Sequence, residues 1–351
     1  MYKLNPSRMS DAENIPLKKY MSGIKKNLPS YKSCLLCGKD VNGFCNSHSI
    51  PAFCLKNIAT DGKLYTSNSI IEVETLPSES GLNKSGVFYA VCRDCDSSFF
   101  QDYENERNYL SSVSPRMLWE IEIKNLLRSY HARIKNGLLA RRVGEDVRSE
   151  KKKIVNQFAN VEILSAILSL KQLFQLRQSQ NISSLYDVIY FKKLDYIVPI
   201  AFQDSVSLFA DCQGNVVNNL YKHGSKIQNL NICIFPMKQS SILLMFTQKR
   251  NSNYKKFKEQ IQFLNDDCFQ KIMLQIMFLY SENFFYSKTM EDILKTDSIV
   301  SNLLGTTTII ENPKTRNQES YLYLAQALEA YSLKNFMSMT NYLSKEYQVV
   351  K

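Results

Sequence analysis

The 351-residue sequence lacks the long apolar segments that place proteins in or across membranes. No run reaches the roughly 18 consecutive apolar residues that a membrane helix needs. Residues 1–20 mix Lys, Asp, Glu and Pro and contain no apolar segment of the kind that an export signal requires. We therefore expect a cytoplasmic protein that does not associate with membranes.

The sequence also lacks the short motifs of several large enzyme classes. It contains no phosphate-binding glycine loop, no HExxH motif and no GxSxG motif. The glycine loop cradles nucleotide phosphates, and GxSxG presents a nucleophilic serine. Their absence leaves nucleotide hydrolysis and serine-type acyl transfer without support.

Acidic residues are too few to balance the basic ones. The chain has 44 Lys and Arg against 33 Asp and Glu, with a net charge of +11 and a pI near 9.0. Residues 124–153 alone contain ten basic and three acidic residues. Because clustered cations release counterions when they bind a phosphate backbone, this distribution favours a nucleic acid as the partner. The residues that we expect to contact phosphates are Lys124, Arg128, Lys135, Arg141 and Arg142.

The nine cysteines are an odd number. Because no export signal accompanies them, they favour metal ligands and buried thiols over a disulfide framework. Four of them form two Cys-x-x-Cys pairs, Cys34/Cys37 and Cys92/Cys95. Four thiolates in two such pairs can close a tetrahedral zinc site. We therefore predict a structural Zn²⁺ ion bound by these four residues.

A second set of zinc ligands is also compatible with the sequence. Cys45 and His48 form a Cys-x-x-His pair, which with the first Cys pair would close a Cys₃His site within fifteen residues. In that arrangement His48 is a structural ligand. We prefer the four-cysteine set because the second Cys pair otherwise lacks partners.

Three segments of the sequence resemble the zinc-stapled form of the HNH nuclease motif. They are CLLCG at residues 34–38, SHSIP at 47–51 and CRDCD at 92–96. The pattern is a strand, turn and strand that hold a histidine, followed after a loop by a helix that begins at a Cys pair. The match covers about residues 33–110 and is similar to a poorly characterised set of bacterial proteins with an SHxIP motif between two Cys pairs. The resemblance implies a ββα-metal finger of the treble-clef type.

The resemblance also implies catalytic roles for three residues. His48 would act as the general base that takes a proton from the water attacking a phosphodiester. A catalytic Mg²⁺ or Mn²⁺ would bind Asp96, with help from Glu104 about two helical turns further on. Asp96 has a second interpretation as a helix N-cap, because a carboxylate there accepts backbone N–H bonds.

Ser47 departs from the HNH pattern, which usually has Asp, Glu or His directly before the catalytic histidine. A neutral hydroxyl is a poor ligand for a divalent metal. Two functions therefore stay open. The first is a metal-dependent HNH-like endonuclease, with DNA favoured over RNA as substrate and bacterial antiphage defence as its context. The alternative is a non-catalytic, zinc-stabilised scaffold that binds nucleic acid or a partner protein.

The sequence divides into four parts, and the expected fold class is α+β. The expected parts are a basic N-terminal arm at 1–32, the finger domain at 33–112, a basic helical connector at 113–184, and an α+β regulatory or oligomerisation domain at 185–351.

The last part is expected to contain a mixed or antiparallel sheet and a helical C-terminus. Aromatic residues over 278–286 are expected on helices, in the core or at a contact between subunits. Apolar runs and helical periodicity predict strands at 196–200, 206–209, 230–235 and 242–246, and helices at 254–280 and 320–343.

Overall fold

The fold is known from a computed structural model that describes residues 33–70, 79–109, 112–143, 182, 184–219, 226–306 and 318–350. The expected N-terminal arm at 1–32 lies outside the described residues, as does most of the basic segment after residue 143.

The described residues form a mixed α and β structure in which every pair of neighbouring strands is antiparallel. The strands are β1 (Ser47–His48), β2 (Lys63–Thr66), β3 (Glu79–Gly81), β4 (Val87–Phe88), β5 (Tyr186–Leu194), β6 (Ile200–Val206), β7 (Leu230–Pro236), β8 (Ser241–Gln248) and β9 (Phe284–Tyr286). This confirms the expected α+β class, and of the two expected forms of sheet, mixed or antiparallel, the described strands have the antiparallel one.

Helices are distributed along the whole described chain. They are α1 (Ala52–Ile58), α2 (Ser67–Ile70), α3 (Arg93–Phe99), α4 (Pro115–Val143), α5 (Lys255–Ile261), α6 (Asp266–Tyr280), α7 (Glu291–Thr296), α8 (Ser298–Gly305) and α9 (Gln318–Ala330). Among the described helices, none combines the length and the apolar character that crossing a bilayer requires.

Two compact units divide the chain, and their boundary differs from the expected one. The cysteine unit comprises the described parts of 33–49 and 86–185, and the sheet unit comprises those of 50–85 and 186–350. The finger expected over 33–112 is therefore interrupted. The described residues of 50–85 leave it because β2 pairs with β9, with Tyr65 opposite Tyr286, and so joins the large sheet.

The sheet unit is built around seven strands in the order β3-β2-β9-β6-β7-β8-β5. Every residue of β7 and β8 is buried, as expected for central strands that are covered on both faces and therefore apolar throughout. On one face, Ile232 and Met245 share a core cluster with Met273 and Ile276 of α6. Side chains alternate along a strand, so Phe235 lies on the other face, where α1 contributes an edge-on ring contact from Phe53 at 6.5 Å.

Helix α6 is apolar nearly all round, which is typical of a helix inside a core. It begins where the Asn265 side chain accepts a hydrogen bond from the Cys268 N–H at 2.9 Å. Asp266 and Asp267 follow in the first turn, where a carboxylate interacts favourably with the helix dipole. This cap separates α6 from α5, so the single helix expected at 254–280 is in fact two helices.

Other predictions for this part of the chain have mixed outcomes. The strands expected at 230–235 and 242–246 are confirmed as β7 and β8, whereas β5 was not predicted. In place of the two strands expected at 196–200 and 206–209, the structure has one strand, β6, which overlaps each expected range by a single residue.

Two predictions near the C-terminus are wrong in secondary structure. The aromatic residues Phe284, Phe285 and Tyr286 form strand β9 and not part of a helix, although their expected burial in the core is confirmed. The helix expected at 320–343 ends at Ala330, in α9. Leu333 then donates its N–H to the carbonyl oxygen of Asp211, a bond to a distant loop that a continuing helix could not make.

Candidate metal centre and the charged cluster beside it

The four cysteines of the two Cys-x-x-Cys pairs come together in the cysteine unit. Cys34 and Cys37 lie on a tight turn, in which the Gly38 N–H donates to the Cys34 carbonyl oxygen at 2.8 Å. Gly38 has φ +71°, a backbone conformation that favours glycine. Cys92 directly precedes α3 and Cys95 lies in its first turn. The four Sγ atoms all lie within 4.8 Å of one another.

Distances and hydrogen bonds in this cluster fit a tetrahedral metal ion. The Sγ atoms of Cys37 and Cys92 are 3.9 Å apart, close to the separation of about 3.8 Å that a tetrahedron with Zn–S bonds of about 2.3 Å requires. The Cys92 N–H donates to the Sγ atom of Cys34 at 3.3 Å. Burial alone raises the pKa of Cys34, but backbone N–H donors outweigh it and hold the pKa below its usual value, whereas burial raises the pKa of Cys92 and Cys95. The four-cysteine group can therefore hold a metal ion such as zinc.

The alternative Cys₃His set is not assembled. Cys45 donates its thiol proton to Asp96 Oδ2 at 3.4 Å. Burial, followed by the charge of the Asp96 carboxylate, raises the pKa of Cys45 to about 11. Burial also raises the pKa of Cys92 and Cys95, so what sets Cys45 apart is its contact with Asp96 and not its pKa. Among the described residues, the ligand-bearing side chains that gather as a metal group are the four predicted cysteines, without Cys45 or His48.

His48 lies on β1, which pairs with β4 so that Ser47 is opposite Phe88 and His48 is opposite Val87. Ser47 is fully buried and donates its hydroxyl proton to Asp96 Oδ1. Because neighbouring side chains alternate across a strand, the half-buried His48 is directed to the opposite face. The structure therefore brings Ser47 to the Asp96 carboxylate.

Lys124 of α4 joins the two acidic residues that the sequence suggested as ligands for a catalytic metal. Its Nζ atom lies 2.9 Å from Asp96 Oδ1 and 2.9 Å from Glu104 Oε1. The Lys124 side chain is 0% exposed, and its ammonium lies 4.0 Å from the centroid of the Phe100 ring. The charged cluster, as we call Asp96, Glu104 and Lys124, thus contains a fully buried ammonium balanced by two partly buried carboxylates.

Asp96 stays ionised in this environment. Burial alone raises the pKa of its carboxyl group, but the Lys124 ammonium and the hydrogen bonds from Ser47 and Cys45 outweigh that effect and hold the pKa below its usual value. The Asp96 carboxylate thus accepts hydrogen bonds from the side chains of Cys45, Ser47 and Lys124. Its interpretation as a helix N-cap is not supported, because Cys92 occupies the N-cap position of α3.

Glu104 reaches the cluster from a turn and not from a helix, because α3 ends at Phe99. The turn that follows is held by the buried Glu120 carboxylate, which accepts the N–H groups of Asp102 at 3.1 Å and Tyr103 at 3.0 Å. The expectation that Asp96 and Glu104 share a helix face is thus wrong, because only Asp96 lies on the helix. The two carboxylates nevertheless converge on one atom, Lys124 Nζ.

Of the five residues predicted to contact phosphates, the structure describes the side chains of two, Lys124 and Arg128. Lys124 is buried and ion-paired, so the structure contradicts its prediction as a surface contact. Residues 117–127 of α4 are all buried, and this part of the helix therefore offers no surface to a phosphate backbone. Arg128 is half-buried, and the side chains of Lys135, Arg141 and Arg142 lie outside the described part of the chain.

Sequence reasoning missed the structural roles of Ser47, Glu120 and Lys124. A signal for Lys124 was present, because it lies within the segment LWEIEIKNLL, where apolar residues occur on every side of the helix. Such a pattern is typical of a buried helix, in which a charged residue requires a partner of opposite sign. The identity of those partners could not be read from the segment itself.

Comparison of the chain with protein-family models, with curated proteins and with solved structures finds no significant match. The resemblance to HNH nucleases therefore stays a prediction. Function has to be argued from the geometry and charge of the described residues.

Proposed function

We propose that this chain is a nucleic-acid-binding protein whose metal-stapled finger is structural and non-catalytic. The observation that carries the proposal is the position of Lys124 Nζ, 2.9 Å from both Asp96 Oδ1 and Glu104 Oε1 and shielded from solvent. An ammonium group occupies the point between the two carboxylates at which a divalent cation would have to bind.

Electrostatics favour the ammonium over a metal ion at this point. A divalent cation could approach the two carboxylates only if Lys124 withdrew, because like charges a few ångströms apart repel strongly in a poorly solvated site. Withdrawal would leave a buried ammonium unpaired, which costs several kcal/mol. The neutral Ser47, in the position where HNH nucleases usually have an acidic or histidine residue, adds no negative charge that would offset this cost.

The finger in this proposal is of the treble-clef type. A Cys pair on a turn, the β1–β4 strand pair and a helix that begins at the second Cys pair are the parts that such a finger needs. A bound Zn²⁺ would tie the turn at Cys34 to the start of α3. In this proposal His48 is a residue of β1 without a catalytic role. The hydroxyl group of its neighbour Ser47 donates a hydrogen bond to Asp96 of the charged cluster.

A nucleic acid, with DNA favoured over RNA, is the partner that best fits the charge. The net charge is +11, and the segment 124–153 remains strongly basic even when Lys124 is set aside. Clustered cations bind a phosphate backbone through counterion release, without requiring a particular sequence.

The test combines binding and cleavage on the purified, zinc-loaded chain. We expect labelled duplex DNA to be bound with an affinity that falls steeply with salt, and to remain uncut in Mg²⁺ or Mn²⁺. A His48→Ala variant should bind equally well. Absence of binding to DNA and to RNA would contradict the proposal, as would metal-dependent cleavage that the His48→Ala variant loses.

A second function, the metal-dependent HNH-like endonuclease of an antiphage system, is favoured by one observation. Asp96 and Glu104 approach a single atom although they come from a helix and from a turn, so their carboxylates would suit a divalent cation if Lys124 moved away. This function predicts that wild-type protein cuts DNA in Mg²⁺ and that His48→Ala abolishes cutting without reducing binding.

A further inference from the structure

A second basic surface lies in the sheet unit, at the turn that follows β8. We call it the basic corner and define it as Lys226, Lys249, Arg250, Lys255 and Lys256, all of which are exposed. We infer that the basic corner contacts the phosphate backbone of duplex nucleic acid. This inference rests on the proposed function and assigns a contact surface to it.

Backbone geometry brings the members of the corner together. After β8 the chain turns sharply, with the Asn251 N–H donating to the Gln248 carbonyl oxygen at 2.9 Å. One short helical turn, Ser252–Tyr254, then leads directly into α5, which begins at Lys255. Lys226 is held beside this turn because its carbonyl oxygen accepts a hydrogen bond from Asn253 Nδ2 at 3.1 Å.

Side-chain hydrogen bonds hold this turn in place. Asn251 Nδ2 donates to Thr247 Oγ1 at 2.8 Å and to the Asn229 carbonyl oxygen at 3.1 Å. Tyr254 is fully buried, and its hydroxyl group donates to the Gln228 carbonyl oxygen at 2.8 Å. A surface that is already ordered loses little conformational entropy when a partner binds, so these bonds favour binding by the corner.

Little negative charge opposes the corner. Residues 249–258 contain no Asp or Glu, and one exposed acidic residue, Glu259, follows them on α5. Lys258 is paired with Asp187 at 2.6 Å. Within the part of the chain that the structure describes, the four lysines of the corner form no ion pair. Arg250 donates from Nε to Gln248 Oε1 at 2.7 Å, which orients its guanidinium group without neutralising it.

The aromatic residues of this segment indicate which nucleic acid fits. Proteins that bind single strands combine a basic groove with exposed rings on which the bases stack. Tyr254 and Phe257 are both fully buried, so residues 249–258 offer cations but no ring for stacking. The exposed ring of Phe263 follows α5, which ends at Ile261, and is not part of the corner. A duplex presents its phosphates outward at about one charge per 1.7 Å of helix axis, and contacting it requires no stacking.

The experiment measures binding of the full-length, zinc-loaded chain to a fluorescently labelled duplex DNA by anisotropy at salt concentrations of about 50 to 200 mM. The test variants are Lys249→Ala with Arg250→Ala, and Lys255→Ala with Lys256→Ala. The matched control replaces two exposed lysines near the other edge of the sheet, Lys84→Ala with Lys288→Ala. Circular dichroism and thermal unfolding verify that each variant is folded.

We expect each test variant to bind about tenfold more weakly, with a log–log salt slope shallower by about 0.9 for each phosphate contact that is lost. The control should bind as the wild-type chain does. Unchanged binding by both test variants, with loss in Arg141→Ala/Arg142→Ala, would overturn the inference and leave the proposed function intact.

Two further outcomes separate other partners. If the wild-type chain binds neither DNA nor RNA, the proposed function and the inference both fail. If it binds phosphatidylserine vesicles through the corner and ignores the duplex, or if the test variants lose only single-strand binding, the assignment of the corner to a duplex is overturned.

Discussion

Lys124 and Asp96 form an ion pair at 2.9 Å in which the lysine side chain is completely removed from solvent. The same ammonium pairs with Glu104 at 2.9 Å. This one side chain therefore connects α4, α3 and the turn after α3. It forms ion pairs with both carboxylates that a catalytic metal would need.

Replacing Lys124 by Met should destabilise the protein strongly. The substitution keeps the length of the side chain but leaves two partly buried carboxylates without their counter-ion, and losing one partner of a buried ion pair costs about 3–5 kcal/mol. The free energy of unfolding in urea is the measurement. As a control, Lys192→Met removes the exposed pair of Lys192 with Asp266 and should cost less than about 1 kcal/mol. Equal costs for the two variants would contradict the role of Lys124.

The four-cysteine assignment predicts a clear difference between two cysteine variants. Cys92→Ser should lose bound zinc, because it removes one of the four Sγ atoms of the cluster. Cys45→Ser should retain zinc, since the Cys45 thiol bonds to Asp96 and lies outside the cluster. Metal content measured by mass spectrometry decides the matter, and zinc loss in Cys45→Ser would support the Cys₃His set.

Glu120 should make stability depend on pH. Burial raises the pKa of its carboxyl group from 4.5 to about 7, although the Arg116 guanidinium at 2.8 Å and the N–H of Tyr103 act in the opposite direction. The folded protein therefore binds a proton that the unfolded chain releases between about pH 4.5 and 7. This contribution to stability is complete below pH 4.5 and is lost as the pH rises through 7.

Glu120→Gln should flatten that dependence, because the amide does not titrate. The raised pKa corresponds to at most about 3 kcal/mol in the free energy of unfolding. Urea unfolding at a series of pH values compares the variant with the wild-type chain. Parallel pH profiles would show that Glu120 is not the titrating group.

The boundary between the two units predicts that a residue within the expected finger stabilises the sheet unit. Tyr65 is buried in the core cluster of the sheet, and its ring lies 6.0 Å from that of Tyr286. Tyr65→Ala should lower the free energy of unfolding by about 3–5 kcal/mol, as is usual for large buried aromatic residues. Bound zinc should remain, because the four cysteines belong to the other unit. Loss of zinc from the variant under conditions in which it stays folded would contradict the division into two units.

The candidate metal ligands were predictable from the sequence because the spacing within each Cys pair is local. Cys34 and Cys37, and likewise Cys92 and Cys95, are separated by two residues, a spacing that lets one turn of backbone present two thiolates to a single ion. The central strands β7 and β8 were predictable for a similar reason, since runs of apolar residues favour strands buried on both faces.

The environment of each charged side chain was not predictable in this way. Lys124 and Arg128 are four residues apart on one helix, and helical periodicity alone assigns them to the same face. Which face is buried depends on what packs against it. The partners of Lys124 lie 20 and 28 residues away in the chain, and no local pattern connects them.

The sequence by itself determined the two Cys-x-x-Cys pairs, the α+β character and the excess of positive charge, because spacing, periodicity and composition encode these properties locally. The tertiary structure decided that the described sheet is antiparallel and that the two Cys pairs gather without Cys45 and His48. The tertiary structure also decided that β2 joins the large sheet through β9, more than 200 residues further along. It also decided that Lys124 neutralises Asp96 and Glu104. These results depend on contacts between distant segments, since burial and the pairing of charges arise only when the chain has folded.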